Sequence, residues 1–534
     1  MKMNLILGFH GGHDGSLALV KNGKLIAAIS KERITRIKKD QNGNDEHFIK
    51  KFLELNNFTL NDITHITFCD DISQNTFFKF YKNNEPQINL HGQTITKPHE
   101  ELIAKFNDKE LPAYHIHHHL SHCAYSFYTS NLDKAICLSM DSSFGYPHAF
   151  SNTAIGNREK IKLHKCPELD VGNLYNIFTE KLGLGPGLYK AGTTMGLASY
   201  GTILKFVKDS WDEYTGPYYE EYWSKISGLP AKESFSEMEK DSQKAMNIAA
   251  TLQHIFEQAI MREVNKLYDE IKKEHGENIC LSGGSFLNCN VNTKIQRESK
   301  FKNVHVSPAC GDDGLAAGCA LYVAHNILGE KRIKYENHEI MYLGGDYDAP
   351  QIGEPYNATK VANMLNEGKI IAWYQGRSEF GPRALGNRSL LANPAIKNMK
   401  DILNYKIKKR EWFRPFAPSI LEEDYKDWFD NPDPSPYMLF TSKVKKPETT
   451  PSITHIDNTA RIQTVNKQDN PKYYELINEF KKITQIPMLL NTSLNINGEP
   501  IVETPEDAIR FLKETKADAL VLKDRLIEKK DLKI

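Results

Sequence analysis

Five histidines fall within eight residues: His115, His117, His118, His119 and His122. On one turn of helix an i,i+4 pair points two imidazoles the same way, a common metal-site geometry. Two pairs have that spacing, His118 with His122 and His115 with His119, so the register is open. A polar, solvated histidine run is the competing reading, and a distant third ligand would separate the two. The turn Gly311-Asp312-Asp313-Gly314 can supply one, because it follows an apolar strand at 304–307 and precedes a small-residue helix from Leu315. A carboxylate there would complete a two-His, one-carboxylate set suited to Fe(II) or Zn(II). Acids at strand ends also cap the next helix, as Asp313 can.

A second constellation is cationic. The run 376–389, GRSEFGPRALGNRS, sets Arg377, Arg383 and Arg388 among glycines directly after a strand. Lys408, Arg410, Arg414 and Arg461 follow. Guanidinium groups bind phosphate oxygens bidentately and glycines let the backbone approach, so this pattern predicts an anion pocket rather than a solvated basic face. Asn491, Ser493 and Asn495, after the apolar strand 486–490, offer amides and a hydroxyl to a nucleotide or carboxamide. Gly283 and Gly284, after the strand 279–281, fit a phosphate approach, though paired glycines mostly just turn.

These groups need strand ends to hold them. An apolar strand from Asn4 to Phe9 runs into Gly11-Gly12-His13-Asp14-Gly15, and a hairpin turning at Asn22-Gly23 follows. A comparable start recurs at Ala135–Met140, ending on Asp141. The repetition suggests a duplicated α/β unit of the actin-like ATPase type. Apolar positions 248, 252, 255, 259, 267 and 271 predict a long helix with Gly276 as C-cap. The stretch from Gly329 to Tyr356 reads as an interdomain connection, and a second α/β pattern starts at Val361. Between 200 and 235, Trp211, Tyr214, Tyr218, Tyr219, Tyr222 and Trp223 either stack on an acceptor or pack an insertion.

The chain has 534 residues, enough for two or more domains, with 68 basic and 68 acidic side chains. That balance leaves no global basic field for nucleic acid or anionic lipid. No apolar run reaches membrane-spanning length, and the eight cysteines contain no CxxC pair, which fits reduced core thiols of a cytoplasmic protein.

Seven ordered blocks carry a family resemblance across nearly the whole chain. They are HHLSH at 118–122, MGLASYG at 195–201, LSGGSFLNCNVN at 281–292, the 376–389 run, KKREWFRPFAPS at 408–419, TARIQTV at 459–465 and NTSLNINGEP at 491–500. Together they resemble the NodU/CmcH family of O-carbamoyltransferases, which includes the tobramycin-type antibiotic carbamoyltransferases.

The resemblance implies an actin-like N-terminal domain, 1–340, similar to tRNA threonylcarbamoyl-transfer proteins, and a YrdC-like C-terminal α/β domain, 357–534. It implies that ATP, with Mg, and carbamoyl phosphate give carbamoyl-adenylate in the C-terminal domain. The N-terminal domain would then pass the carbamoyl group to a hydroxyl of a natural product or sugar. It implies His118, His122 and Asp312 as ligands of Fe(II) or another divalent ion such as Zn(II). Arg383, Lys408, Arg414, Arg461, Ser493 and Asn495 would hold carbamoyl phosphate and the ATP phosphates. His13, Asp14, Lys38, Asp141 and Gly192 would surround the adenylate and acceptor, with His13 the candidate general base. Nearby on the same blocks, Gly283, Gly284 and Asn288 are expected at the adenylate, and Arg377, Arg388, Arg410 and Asn491 at the phosphates.

Two positions depart from the family: Thr193 stands where a Lys is frequent, and Leu494 where Phe is frequent. The alternative reading is a tRNA-modifying threonylcarbamoyl-transfer-like enzyme, against which the balanced charge argues. A homodimer is compatible with the sequence, and neither membrane nor nucleic acid is an expected partner.

Overall fold

A computed structural model describes residues 3–40, 46–69, 77–83, 85–87, 97–106, 109–142, 151–165, 167, 169–205, 219–236 and 239–532. The first sheet comprises β1 (Leu5–His10), β2 (Ser16–Lys21), β3 (Lys24–Ser30), β4 (His65–Cys69), β5 (Lys79–Lys82), β6 (Glu85–Gln87), β7 (His99–Phe106) and β8 (Lys109–Ile116). Its order is β3-β2-β1-β4-β8-β7-β5-β6. Asn22 and Gly23 both take positive φ, +48° and +79°, so the two-residue turn twists in the sense of the strands it joins.

The second sheet runs β11-β10-β9-β12-β13, from β9 (Lys134–Met140), β10 (Ser151–Asn157), β11 (Lys160–Lys165), β12 (Asn278–Ser282) and β13 (Asn303–Val306). In both sheets the lead strand pairs antiparallel with a returning hairpin on one side and parallel with a later strand on the other. The strand order β3-β2-β1-β4-β8 is therefore repeated as β11-β10-β9-β12-β13.

Helices His118–Thr129 and Leu315–Tyr322 form the layer between the sheets. Every residue of Leu315–Tyr322 is buried, as expected for a helix apolar on all sides. Its small residues let backbones touch, since a Cβ on Gly318 would lie 1.9 Å from the Ser121 carbonyl oxygen. The long helix is Gln243–His275, capped by the Ser242 hydroxyl at its start and ended by Gly276 at φ +92°.

The third sheet has Ile371–Tyr374 at its centre, parallel to Ala519–Leu522 and antiparallel to Arg388–Ala392, with Met488–Ser493 and Ala417–Leu421 beyond. Helices Ala358–Asn366, Pro471–Thr484 and Pro505–Glu514 accompany it.

The segment 329–356, read above as an interdomain connection, is packed rather than free. It holds the helix Asn337–Met341, buries Ile340, Met341 and Leu343, and accepts the Ala28 amide on the Leu343 carbonyl at 3.0 Å. The large N-terminal core itself takes in Phe380, Leu385, Phe413 and Tyr437. Two arginines expected at the phosphates serve this seam instead. Arg377 spends its donors on the carbonyls of Gly344 (2.9 Å), Ile26 (3.0 Å) and Leu343 (2.6 Å). Arg388 is fully buried, bonds the carbonyls of Gly376 (3.1 Å) and Glu503 (3.3 Å), and lies over the Tyr374 ring at 3.6 Å. Their guanidinium groups hold main chain, and neither is in the lining of the two cavities described below.

Candidate active site

Four chain segments that leave strands converge on one point. His13 follows β1, His118 opens the helix after β8, Asp141 follows β9, and Asp312 sits in the turn after β13. Convergence at strand ends is the usual ligand position of α/β sheets. His118, His122, Asp141 and Asp312 present ligand atoms that all lie within 4.8 Å of one another. His122 Nε2 is 3.2 Å from Asp141 Oδ2 and 3.3 Å from Asp312 Oδ1. His122 Nε2 and Asp312 Oδ1 are shut off from solvent and, though close, do not meet in hydrogen-bond geometry, as atoms placed to share a cation would be. Two imidazoles and two carboxylates suit a borderline divalent ion such as Fe(II) or Zn(II), so the residues present fit a metal.

The other histidines are engaged elsewhere. His115 lies in β8 and stacks on Phe68 at 4.9 Å, while His119 Nδ1 meets the Ser139 hydroxyl at 2.9 Å. Asp141, expected at the adenylate, joins the ligand cluster as its fourth member. Burial opposes a charged carboxylate there, but the facing His122 and His118 overcome it and hold Asp141 well below the usual range. At His122 burial likewise opposes charge, and Asp141 with Asp312 outweighs it to raise the imidazole pKa. Asp313 is pushed up to about 7 by burial and by the charges of Asp14 and Asp312.

A cavity of 360 Å3 opens over the cluster, with His13, Asp14, Lys38, Lys39, Gly192, Gly284 and Asn288 among its walls. His13 Nε2 is 3.2 Å from Asp312 Oδ2. Lys38 pairs at 2.8 Å with Glu32, another residue of the cavity wall, and 42% of its side chain is exposed. The ammonium on Asp14 belongs to Lys39, at 2.8 Å, with the Leu188 carbonyl at 3.1 Å. Gly284 donates its amide to Asp141 at 3.0 Å. Gly283 does not line the cavity; at φ +93° it makes the turn, where a Cβ would come 2.1 Å from the Met140 carbonyl. Asn288 exchanges amide hydrogen bonds with Gln253 and caps the next helix through Val291. Of the aromatic stretch, Trp211, Tyr214 and Tyr218 lie outside the described residues; Trp223 is core, packed on Phe178.

A second cavity, of 240 Å3, lies alongside and shares Gly192, Met195, Pro382, Arg383 and Arg414 with the first. Arg383, Arg410, Arg414 and Arg461 all line it, and Asp457 is the only carboxylate among its described lining residues. The Nε atoms of Arg383 and Arg461 are buried without a partner. Burial, then the neighbouring guanidinium of Arg383, pulls the Arg461 pKa down to about 9. Arg414 donates to the Thr193 hydroxyl at 2.7 Å, so Thr193 anchors an arginine that both cavities share.

Asn491 and Ser493 line the second cavity, whereas Lys408 and Asn495 stand behind it. Lys408 donates to the Ser493 hydroxyl (3.2 Å) and to Asn495 Oδ1 (2.9 Å) and carbonyl (3.0 Å), bracing the loop that presents Ser493. His455 and Asp457, which sequence reasoning passed over, also line this cavity.

A His–Asp cluster fit for a cation thus adjoins an arginine-lined cavity fit for an anion. The family model described as carbamoyltransferase N-terminus matches residues 5–321, and that described as carbamoyltransferase C-terminus matches 362–529. An uncharacterized protein of Synechocystis is 34% identical over 97% of this chain and 95% of its own. Nodulation protein NolNO of Sinorhizobium fredii is 33% identical over 97% of this chain and 79% of its own. The 3'-hydroxymethylcephem-O-carbamoyltransferase of Amycolatopsis lactamdurans is 33% identical over 47% of this chain and 48% of its own. The chain belongs to the carbamoyltransferase family, and its chemistry is carbamoyl transfer. Among the described residues, no helix is long and apolar enough to cross a membrane.

Proposed function

We propose that the protein is an ATP-dependent O-carbamoyltransferase working in two adjoining cavities. The observation that carries this reading is the shared wall. Arg383 and Arg414 border both a cavity with four arginines and a cavity over the His–Asp cluster, so a product made in one can pass to the other unreleased. Desolvated guanidinium groups with one facing carboxylate call for a polyanion, and ATP with carbamoyl phosphate (ATP carrying Mg) supplies several phosphates. In this scheme Arg383, Arg410, Arg414 and Arg461, with Ser493, neutralise charge as carbamoyl-adenylate forms and pyrophosphate leaves. The repeated strand order of the N-terminal half supports an actin-like unit, and the C-terminal half is read as YrdC-like.

In the first cavity, His118, His122, Asp141 and Asp312 would hold the divalent ion, which supplies Lewis-acid polarisation of carbamoyl or phosphate oxygen. His13 takes the acceptor proton; with Nε2 turned to Asp312, Nδ1 is the atom left for it. Lys39 and Asp14 sit beside it as a fixed ion pair. The relative that acts on 3'-hydroxymethylcephem supports a small-molecule hydroxyl as acceptor, in a natural product or sugar. Purified, metal-loaded protein should release pyrophosphate from ATP only when a carbamoyl source, carbamoyl phosphate or the carbamate it yields, is present, and candidate acceptors should gain one carbamoyl group by mass. Pyrophosphate release indifferent to carbamoyl phosphate would refute the scheme.

A further inference from the structure

The arginine-lined cavity contains a His–Asp pair to which the scheme above gives no task. His455 and Asp457 sit in the tight turn between Thr454 and Thr459, closed by the His455 amide on the Thr459 carbonyl (2.8 Å) and the Asn458 amide on the His455 carbonyl (2.9 Å). Asn458 completes the turn at φ +61°. Thr459 fixes Asp457 through its amide (3.0 Å) and hydroxyl (2.7 Å). Asp457 Oδ1 faces His455 Nδ1 at 3.5 Å, and the Tyr200 ring stands edge-on to the imidazole at 5.8 Å. The His455 side chain is 8% exposed, and its Nε2 is buried with no hydrogen-bond partner, in a residue that lines the cavity. A carboxylate at Nδ1 places the ring proton there and leaves a bare lone pair on Nε2, the arrangement of a general base.

The reaction needs such a base. For pyrophosphate to leave ATP, an oxygen nucleophile must attack the α-phosphorus, so carbamoyl phosphate must first become carbamate. We propose that His455, oriented by Asp457, is the general base for that hydrolysis, a role that rests on the carbamoyl-adenylate reading. A water oxygen bonds the carbamoyl carbon while its proton passes to His455 Nε2. The adduct breaks its C–O bond to phosphate, the electron pair goes to the phosphate oxygen, and that oxygen recovers the proton from His455. Carbamic acid and hydrogen phosphate result, and carbamic acid ionises to the nucleophile. Arg410, Arg414 and Arg461, on the same cavity, hold the leaving phosphate. Asp457 is a positioning residue, and His455 is the catalytic one.

The test compares two carbamoyl sources in the holoenzyme, carbamoyl phosphate and ammonium carbamate, with pyrophosphate release as readout. In His455→Gln, release driven by carbamoyl phosphate should fall by about 10^2- to 10^4-fold, the usual weight of a general base. Release driven by carbamate should match the wild type. Equal loss with both sources, or full activity with both, would overturn the assignment. Asp457→Asn gives an independent arm: kcat with carbamoyl phosphate falls and KM stays, and a raised KM with unchanged kcat would again overturn it. Wild-type enzyme that releases pyrophosphate with neither source would instead refute the adenylate reading itself.

Discussion

The His–Asp cluster and the arginine cavity share a wall yet solve opposite problems. In the cluster, the His122 imidazole faces the carboxylates of Asp141 and Asp312 across 3.2–3.3 Å, and Asp141 is held charged by the histidines it faces. In the cavity, like charges are gathered; burial drives the guanidinium pKa values of Arg383, Arg414 and Arg461 down, and the charge of Arg383 adds to the effect at Arg461 and Arg414. On the proposed reading the first arrangement is completed by a cation, and the second is relieved by an anion. Stability and function therefore coincide in the cluster and oppose each other in the cavity.

The largest expected effect breaks the cluster. Removing the metal with a chelator, or replacing His122 by Ala, should abolish carbamoylation of the acceptor, read by mass spectrometry, and re-adding Fe(II) should restore only the wild type. Next comes the cavity. Arg461→Met should cut pyrophosphate release by about 10^2- to 10^3-fold, the cost typical of one lost charge-stabilising donor. Because repulsion is relieved, its melting temperature without ligand should be equal to or above the wild type; a drop would mean Arg461 is structural.

Arg388→Met sharpens the contrast between binding and structural arginines. It strips the donors from buried carbonyls and should cost about 2–4 kcal/mol by denaturant titration, as losing a hydrogen-bonded buried charge does. A smaller effect separates neighbouring lysines. Lys39→Met should lower transfer by about tenfold, the loss of roughly 1.4 kcal/mol of positioning, while Lys38→Met leaves it unchanged. The reverse order would give the positioning role to Lys38.

The seam between the halves gives a pH signature. His305 on β13 meets the Ser307 hydroxyl at 3.0 Å and Tyr437 of the C-terminal half edge-on at 6.4 Å. Burial, then Arg332, lowers its pKa from 6.5 to about 4. The folded state thus binds fewer protons than the unfolded one, so its contribution is present above pH 6.5 and is lost as pH falls toward 4. The loss amounts to about 3 kcal/mol and should shrink in His305→Gln, measured by urea midpoints across that range.

Periodicity and turn chemistry made much of the scaffold legible: the Asn22-Gly23 hairpin, the helix ending at Gly276 and the two strand starts are local. The histidine register was not local. His115 and His119 have the same spacing as the ligand pair, and only neighbours far along the chain, Phe68 and Ser139, show why they are diverted. Arg377 and Arg388 share the glycine-rich run with Arg383, and an arginine satisfied by carbonyls looks identical in sequence to one awaiting phosphate. Asp141 was noticed as a strand-end acid, but its closeness to Asp312 exists only once β9 and β13 are in one sheet. Lys38 and Lys39 are adjacent and alike in sequence and differ in their partners, Glu32 for the first and Asp14 with the Leu188 carbonyl for the second.

The division of labour between the two regions is tested most directly by pyrophosphate release in cluster-disrupted protein. His118→Ala enzyme, given ATP and carbamoyl phosphate, should still release pyrophosphate and form carbamoyl-adenylate while leaving the acceptor unmodified, whereas Arg461→Met should fail at the first step. If His118→Ala lost pyrophosphate release as completely as Arg461→Met, the two cavities would be one catalytic site, and the account would be wrong.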